Sequence, residues 1–491
     1  MKTSVVIIGG GIGGISAGIE LALQNYDVTI YEKNSSFGGR ANQITHKGYK
    51  FDTGPSLLNY PHLFKKTFNK SGKDINDYLE LIEVKKGVFF EWPNGESFNW
   101  SSNLINLSDN VKKFSREDKN QLINFISDSY EKLEIAFEHL ITKNSDNPLS
   151  WLTNVGLKNI KKLGITKNMS QQINLHIKNK KISEAIGSYA MYLGGRPESI
   201  PGIFSILPTG EITYGLWHPK GGFYELIKAL LRLASDLGVK LKNNSDVEEI
   251  IIKDNKVNAI RVNNKIIESE IIISNLDKIS TNKLIERENK LKISENKINY
   301  SPAVITFYLG INKKLDKLPH HKIFLSKNME KSYDSIFKYG KIPHDPPFYI
   351  SSPSSTDESM APKDCSNIFI LVPVPTIDKK KYYSRKEISD IRNKIFKRLE
   401  LSGSIIDERF IDFEEVWTPN DWAENFSLTN GSAFGESHNF FNIGPFRSKN
   451  YSKKIKHLFF TGSSTTPGTG VPMCLISGQM TAERIKKLFE K

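Results

Sequence analysis

A short segment near the amino terminus constrains the fold of this 491-residue chain more than any other feature. Residues 5–8 are an apolar run typical of a buried parallel strand, and three glycines follow with the spacing GxGxxG, at Gly9, Gly11 and Gly14. In such a turn the glycines permit the bend, the approach of a pyrophosphate, and the packing of the next helix. Glu32 ends a second strand and can accept hydrogen bonds from ribose hydroxyls. The segment predicts a Rossmann-like α/β domain that binds a dinucleotide.

A second glycine turn indicates which dinucleotide is bound. Gly38, Gly39 and Arg40 follow Glu32 closely, where a nicotinamide domain has no common need of such a turn and a flavin site does. The segment therefore resembles the FAD-dependent amine oxidase and carotenoid desaturase superfamily, in which this turn wraps the rest of the FAD. The resemblance implies FAD as the cofactor and places Lys33, Gly39 and Arg40 beside it. An ordinary Rossmann domain that binds NAD, or no nucleotide, is the alternative.

Three later segments match the same family in order. Residues 48–56, GYKFDTGPS, resemble a desaturase segment close to the flavin, which places Gly54 and Pro55 there. Residues 215–222, GLWHPKGG, resemble the approach to the returning FAD domain. Residues 457–484 include TGSSTTPGTGVP, where desaturases carry the loop that holds the ribityl, pyrophosphate and isoalloxazine parts of FAD. Over nearly its whole length the chain is thus similar to the bacterial and archaeal carotenoid (phytoene) desaturases.

The resemblance also assigns cofactor contacts in the second half of the chain. It implies that Val247 meets the adenine through its backbone, and that Gly462 and Met473 lie in the loop beside the flavin. Two departures from the family pattern occur here, since Thr466 replaces the usual histidine and Met473 replaces a small residue. We expect FAD binding to survive both, and any change of chemistry or substrate to originate there. No cysteine or histidine stands in an attachment motif, so we expect non-covalent FAD.

The length exceeds what one hydrophobic core usually supports, so two interlocked domains are predicted. The fold class is α/β, with a Rossmann-like FAD-binding domain of the amine-oxidase type interlocked with a substrate domain of mixed sheet and helices. Two strongly β-prone runs, residues 304–310 and 368–375, favour the mixed sheet. The predicted segments are 1–80, 219–300 and 446–491 for the FAD domain, and 81–218 and 301–445 for the substrate domain.

Charge and composition narrow the choice of partners. The formal charge of +14 admits a nucleic acid or an anionic membrane surface as a partner, and a genome-wide bias in composition is the alternative explanation. No motif of interleaved aromatic and arginine side chains is present, so nucleic acid is not expected. Cys365 and Cys474 have neither CxxC nor metal-ligand spacing, which predicts no disulfide framework, no metal site and a reducing cytoplasm. The pair His320 and His321 has no nearby third ligand and is interpreted as structural or surface histidines without a catalytic role.

Residues 151–167, WLTNVGLKNIKKLGITK, predict a basic amphipathic helix. The apolar positions near one face are Leu152, Val155, Ile160 and Leu163. Such a helix can lie on an anionic membrane, or pack its apolar side into the protein core. No transmembrane helix is predicted, because the longest other uncharged stretch is rich in glycine, proline, serine and threonine. We expect a cytoplasmic protein associated peripherally with the membrane.

The family resemblance implies a desaturase that dehydrogenates phytoene or a related long isoprenoid by hydride transfer to flavin. No residue is an evident general base; Glu211 is a candidate because it precedes Trp217 at a family acidic position, and a surface carboxylate is the alternative. With one dinucleotide fingerprint in the chain, we expect oxygen or a quinone as electron acceptor. A carotenoid oxygenase, an isomerase or a protoporphyrinogen oxidase of the same fold stays open. A non-enzymatic prenyl-chain binder is disfavoured, because it would not need the intact glycines.

Overall fold

The structure is a computed structural model that describes residues 2–112, 114–285, 299–377 and 382–489. Runs of strands and runs of helices follow one another along these residues. The strands are β1 (Ser4–Ile8), β2 (Asp27–Tyr31), β3 (Gln43–His46), β4 (Tyr49–Asp52), β5 (Leu81–Glu83), β6 (Val88–Glu91), β7 (Ser97–Trp100), β8 (Trp217–Pro219), β9 (Lys240–Lys242), β10 (Val247–Lys253), β11 (Lys256–Val262), β12 (Lys265–Glu268), β13 (Ile271–Ser274), β14 (Ala303–Ile311), β15 (His321–Phe324), β16 (Phe348–Ser351), β17 (Ser366–Val374), β18 (Ile411–Trp417) and β19 (Leu458–Phe460). The α-helices are α1 (Ile12–Leu23), α2 (Pro61–Lys70), α3 (Leu104–Lys112), α4 (Arg116–Ala136), α5 (Pro148–Val155), α6 (Leu157–Leu163), α7 (Met169–Asn174), α8 (Lys180–Gly187), α9 (Ile206–Tyr214), α10 (Tyr224–Asp236), α11 (Lys278–Ile285), α12 (Met329–Tyr333), α13 (Arg385–Leu401), α14 (Pro419–Phe426) and α15 (Val471–Phe489).

One of the two large sheets is parallel and has five strands, in the order β19-β13-β1-β2-β9. The side chains of its central strand β1 point alternately to the two faces of the sheet, and both faces are covered. Val5 and Ile7 pack with the helices on one face, whereas Val6 and Ile8 pack with the antiparallel sheet β10-β11-β12 on the other. This doubly covered parallel sheet confirms the predicted Rossmann-like α/β fold.

Helices α1 and α15 pack closely on one face of this sheet. Gly478 makes the close approach possible, since a Cβ there would lie 2.6 Å from the backbone nitrogen of Ala17. Ser16 Oγ also donates a hydrogen bond to the Leu475 carbonyl at 2.7 Å. The two ends of the chain therefore meet beside the same sheet.

The second large sheet is mixed, and its order is β18-β14-β17-β16-β15-β6-β7. Its long strands β14 and β17 are antiparallel and almost wholly buried, whereas β6 runs parallel to β15. One face packs on α13 through Ile391, Ile395 and Leu399. The other side belongs to a core shared with helices α4, α7 and α8, which contribute residues such as Phe125 and Met169. The predicted mixed sheet with helices is confirmed.

The single amphipathic helix predicted over residues 151–167 is wrong. The segment forms parts of two short helices, α5 and α6, separated by Gly156 at φ 76° and ψ 145°. Glycine reaches this non-helical conformation at no steric cost, so the helix ends there. Val155 and Leu163 are buried as the pattern predicts, but Leu157 is 84% exposed.

No helix in the part of the chain that the structure describes has the length and apolar composition needed to cross a bilayer. Both cysteines are free thiols, at Cys365 and Cys474.

Candidate active site

The carboxyl ends of the parallel strands bring together the glycine turn of residues 9–14, Glu32 and the loop that begins at Gly462. With the second glycine turn, residues 38–40, and the side chains packed between these segments, they form what we call the nucleotide cradle. Helix α1 begins at Ile12, and its N-cap Gly11 offers no side chain to the first-turn amides. A Cβ at Gly14 would lie 2.4 Å from the Gly9 carbonyl oxygen, which excludes a larger residue there. A Cβ at Gly39 would lie 3.6 Å from the Gly11 Cα, so the two glycine turns face each other through backbone alone. Bare backbone at a helix start is a site for phosphate groups.

Glu32 is the buried carboxylate of the cradle, and backbone donors orient it. Gly10 N–H donates to Oε2 at 2.8 Å and Asn34 N–H donates to Oε1 at 3.0 Å. Ser245 N–H donates to the Glu32 carbonyl at 2.8 Å, which holds the chain leading into Val247 alongside. Each carboxylate oxygen keeps further acceptor capacity for a ribose hydroxyl.

Arg40 connects three segments around the cradle. Its Nη1 donates to the Ala433 carbonyl at 2.5 Å and its Nη2 donates to Ser463 Oγ at 2.7 Å. The Arg40 carbonyl accepts from Thr53 Oγ1 at 3.0 Å, and a Cβ at Gly54 would lie 2.5 Å from that same oxygen. Burial lowers the pKa of Arg40 from its ordinary value. The turn after β4 is thus fixed against the second glycine turn.

Gly462 follows β19, and Met473 lies in the first turn of α15. Gly462 N–H donates to Ser477 Oγ at 3.0 Å, and a Cβ at Gly13 would lie 2.7 Å from the Gly462 Cα. The carboxy-terminal loop therefore lies directly against the start of α1. Lys33 has other partners, since its Nζ donates to the Glu424 carbonyl at 3.1 Å, and its predicted cofactor contact stays a prediction.

Two cradle residues were missed by the sequence analysis. Asn275 Nδ2 donates to the Gly9 carbonyl at 3.3 Å, and its side chain separates the first glycine turn from Gly462. Arg447 is fully buried, and it donates to the Ser463 carbonyl at 2.7 Å and to the Thr465 carbonyl at 3.0 Å. The position of Asn275 directly after a buried strand was the one available signal, and no motif marks Arg447.

A cavity of about 650 Å³ adjoins the cradle. Gly54, Pro55 and Met473 belong to its wall, and so does Thr466. Most of the remaining wall is aliphatic or aromatic, with Phe137, Leu140, Trp151, Phe204, Leu207 and Leu371 among the contributors. The cavity reaches the surface where its lining residues are exposed, at Leu152 and Phe446. Both family departures, Thr466 and Met473, thus face the same apolar space.

Glu211 is the acidic residue in this wall, and it is only 3% exposed on α9. The alternative interpretation as a surface carboxylate is therefore wrong. Tyr189 donates its hydroxyl to Oε2 at 2.6 Å, and Asn59 also hydrogen-bonds to the carboxyl group. Burial raises the pKa of Glu211 to about 8, although both hydrogen bonds act in the opposite direction. Near neutral pH the group is thus largely a carboxylic acid.

Three histidines lie buried near or in the cavity wall. His438, which no motif marks, lines the cavity and accepts from the Thr469 N–H at 3.3 Å. His320 Nδ1 lies 2.8 Å from Thr356 Oγ1, and His321 Nδ1 lies 2.7 Å from the hydroxyl of Tyr349. Burial lowers the pKa of all three histidines, so they are neutral. Among the described residues no cluster of three or more His, Cys, Asp or Glu side chains could hold a metal ion.

Comparison with known proteins identifies the family of the chain. The family model of the flavin containing amine oxidoreductases matches residues 12–486. A zeta-carotene-forming phytoene desaturase of Myxococcus xanthus is 31% identical over 98% of this chain and 93% of its own length. A 4,4'-diapolycopene oxygenase of a Methylomonas species is 30% identical over 98% and 97%. A crystal structure of an oxidoreductase from Methanosarcina mazei superimposes with a TM-score of 0.64 at 13% identity, covering 98% of this chain and all of the other.

The chain therefore belongs to the flavin containing amine oxidoreductase family, and its predicted likeness to the carotenoid desaturases is confirmed. The predicted FAD cofactor and oxidoreductase class are confirmed at the level of the family. The cradle fits that cofactor. Its glycine turns leave room for a pyrophosphate against bare backbone, and its buried carboxylate suits a ribose.

Proposed function

We propose that the chain is an FAD-dependent desaturase that dehydrogenates phytoene or a related long isoprenoid. The cavity carries this proposal, because it is apolar, adjoins the cradle at Gly54, Pro55 and Met473, and opens at the surface. A long hydrocarbon offers almost no polar groups for recognition. An enzyme that acts on it therefore needs an apolar channel that orients the chain and excludes water. The Myxococcus relative is named for the same class of substrate.

In this proposal the cradle holds FAD and the cavity holds the isoprenoid. The start of α1 binds the pyrophosphate, Glu32 binds the adenosine ribose, and the loop beyond Gly462 closes over the flavin. Bound FAD supplies the acceptor for a hydride from an allylic carbon. The proposed cofactor contacts are Gly9, Gly11, Gly14, Glu32, Lys33, Gly39, Arg40, Gly54, Pro55, Val247, Gly462 and Met473.

We also propose that the opening of the cavity docks on a membrane. Leu152 and Phe446 line this opening, and three further exposed apolar side chains lie close in the chain to lining residues, at Leu149, Leu157 and Phe441. We call these five residues the mouth patch. Leu149 is 71% exposed and Phe446 is 62% exposed, and such exposure is typical of a surface with an apolar partner. Exposed lysines follow on α6, where they favour anionic lipid. A substrate dissolved in the bilayer would then reach the cavity without crossing water.

The domain division and the electron acceptor complete the proposal. The predicted FAD segments contribute all strands of the parallel sheet, and the predicted substrate segments contribute all strands of the mixed sheet, which supports the five proposed segments. The junction near residue 300 adjoins residues 286–298, which lie outside the described residues. Because the chain has a single dinucleotide fingerprint, oxygen or a membrane quinone is the proposed acceptor.

An oxygenase on the same fold is the second candidate, since the Methylomonas relative carries that name at similar identity. Thr466 and Met473 lie in the cavity wall, where a changed residue acts on the substrate directly.

Product mass separates these candidates. The purified protein with FAD is given phytoene in liposomes, first without oxygen and then with oxygen or a quinone. The proposal expects bleaching of the flavin absorbance and a product that is two hydrogens lighter per step. A product with added oxygen identifies the oxygenase, and a product of unchanged mass contradicts both.

A further inference from the structure

We propose that Glu211 is the general base that takes up the proton lost in the dehydrogenation, and that Tyr189 and Asn59 position its carboxylate. The inference rests on the desaturase function proposed above and adds the residue that completes the reaction. It starts from an anomaly of the cavity, a carboxyl group buried in an otherwise apolar wall.

The described residues around Glu211 offer no cation to pair with it. Its carboxyl group is influenced by burial and by hydrogen bonds from Tyr189 and Asn59, with no lysine, arginine or histidine among the groups that act on it. Its hydrogen-bond partners are the neutral groups of Tyr189 and Asn59. The other titratable groups that interact with it are the hydroxyls of Tyr60, Tyr192 and Tyr349, and the cavity is also lined by neutral His438 and by Lys143, which is exposed.

A carboxyl group without a cation is costly to bury, so packing alone does not explain this residue. An apolar side chain of similar volume would fill the wall of a hydrocarbon channel better. Burial raises the pKa of Glu211 to about 8, so a fraction of the molecules is ionised near neutral pH and the group can both accept and release a proton. Those are the properties that a general base requires.

The step balances with the flavin as oxidant. At one carbon of the substrate a C–H bond breaks and its electron pair leaves with the hydrogen to the flavin. At the neighbouring carbon a second C–H bond breaks, its proton goes to the Glu211 carboxylate, and its electron pair forms the new C=C bond. The carboxylic acid loses that proton to bulk water before the next cycle, and the electron acceptor reoxidises the flavin.

The test compares Glu211→Gln with Glu330→Gln, which changes an exposed carboxylate on α12. Glutamine is nearly isosteric with the protonated acid, so we expect both variants to retain flavin and fold. Because the pKa of Glu211 is raised from 4.5 to about 8, the folded chain loses stability as pH rises between these two values, and the loss is complete at pH 9. Glu211→Gln is therefore expected to have a Tm no lower than that of the original chain at pH 9. We expect Glu211→Gln to lower the rate of flavin reduction by phytoene roughly 10²- to 10⁴-fold. Glu330→Gln should keep the full rate.

The pH profile gives a second measurement. The rate with the original chain should rise about tenfold per pH unit below an apparent pKa near 8 and then level off. Tyr189→Phe removes a hydrogen bond that favours the ionised form, so it should move this rise to higher pH. A flat profile from pH 6 to 9, or a Glu211→Gln variant with more than a tenth of the original rate, would overturn the inference. If the original chain itself forms no product of lower mass, the proposed desaturase function fails. This result differs from a loss of activity that is confined to Glu211→Gln.

Discussion

The nucleotide cradle and the cavity meet at Gly54 and Pro55, yet they are built in opposite ways. The cradle consists of backbone and glycines from turns whose spacing is fixed, and a single Cβ at Gly14 would collide with the chain. The cavity wall consists of side chains from segments scattered between residues 54 and 480. A phosphate is bound by backbone groups, which restricts the residue type, whereas a hydrocarbon needs only apolar volume of the right shape.

This difference explains how one family can keep its cofactor and change its chemistry. Relatives named as a desaturase and as an oxygenase match the chain over nearly the same length and at similar identity. A substitution in the cavity wall costs little as long as volume is conserved, and in the proposed function it would change which carbon of the substrate lies next to the flavin. The cradle has no such freedom. Changes in the cradle should therefore abolish flavin binding, and changes in the cavity should alter what the bound flavin does.

The largest effect is expected from Gly14→Ala. The new Cβ would lie 2.4 Å from the Gly9 carbonyl oxygen, and this backbone atom cannot move without opening the turn. Overpacking of this kind costs about 3 kcal/mol, so we expect protein purified with at least tenfold less flavin. The flavin-to-protein absorbance ratio is the measurement.

Gly18→Ala is the matched control, because it lies in the same helix. There the nearest atom is the Cδ1 tip of the Ile30 side chain at 3.0 Å, which can rotate away, and alanine favours the helix by about 1 kcal/mol. This variant should keep its flavin. Equal flavin content in the two alanine variants would refute the claim that the glycine turn is restricted by close approach.

The same contrast sets what could be predicted from sequence. The cradle was predictable at Gly9, Gly11, Gly14 and Glu32 because phosphate binding couples spacing to residue type over a few positions. Arg447 and the cavity wall were not, because their contacts are made between segments far apart in the chain, which spacing does not encode. The helix break at Gly156 was only partly predictable from the sequence, because a glycine permits a break without requiring one.

Glu32→Ala tests how much one side chain of the cradle, as opposed to its backbone, contributes to FAD binding. It removes the proposed acceptors for two ribose hydroxyls, and we expect this loss to cost about 1.5 to 3 kcal/mol, which is roughly a ten- to hundredfold higher Kd for FAD. Titration of the apoprotein with FAD, followed by flavin fluorescence, measures this. Glu249→Ala is the control, since Glu249 is also buried and pairs with Arg261 but lies in the sheet β10-β11-β12. It should lower the Tm and leave the Kd unchanged, and an unchanged Kd in Glu32→Ala would count against the assigned ribose site.

The smallest effect is expected at the opening of the cavity, where one apolar side chain contributes only part of a docking surface. Leu149→Glu removes an apolar contact worth about 1 kcal/mol and adds a charge that anionic lipid repels, so co-flotation with anionic liposomes should fall roughly fivefold. Flavin content should not change, because the mouth patch does not touch the cradle. Leu401→Glu is the matched control, since Leu401 is 69% exposed on α13, a helix that contributes no residue to the cavity wall, whereas α5 contributes Pro148, Trp151 and Leu152. Equal flotation of the two variants would mean that exposure alone governs binding, and the mouth patch would then have no special part in reaching the membrane.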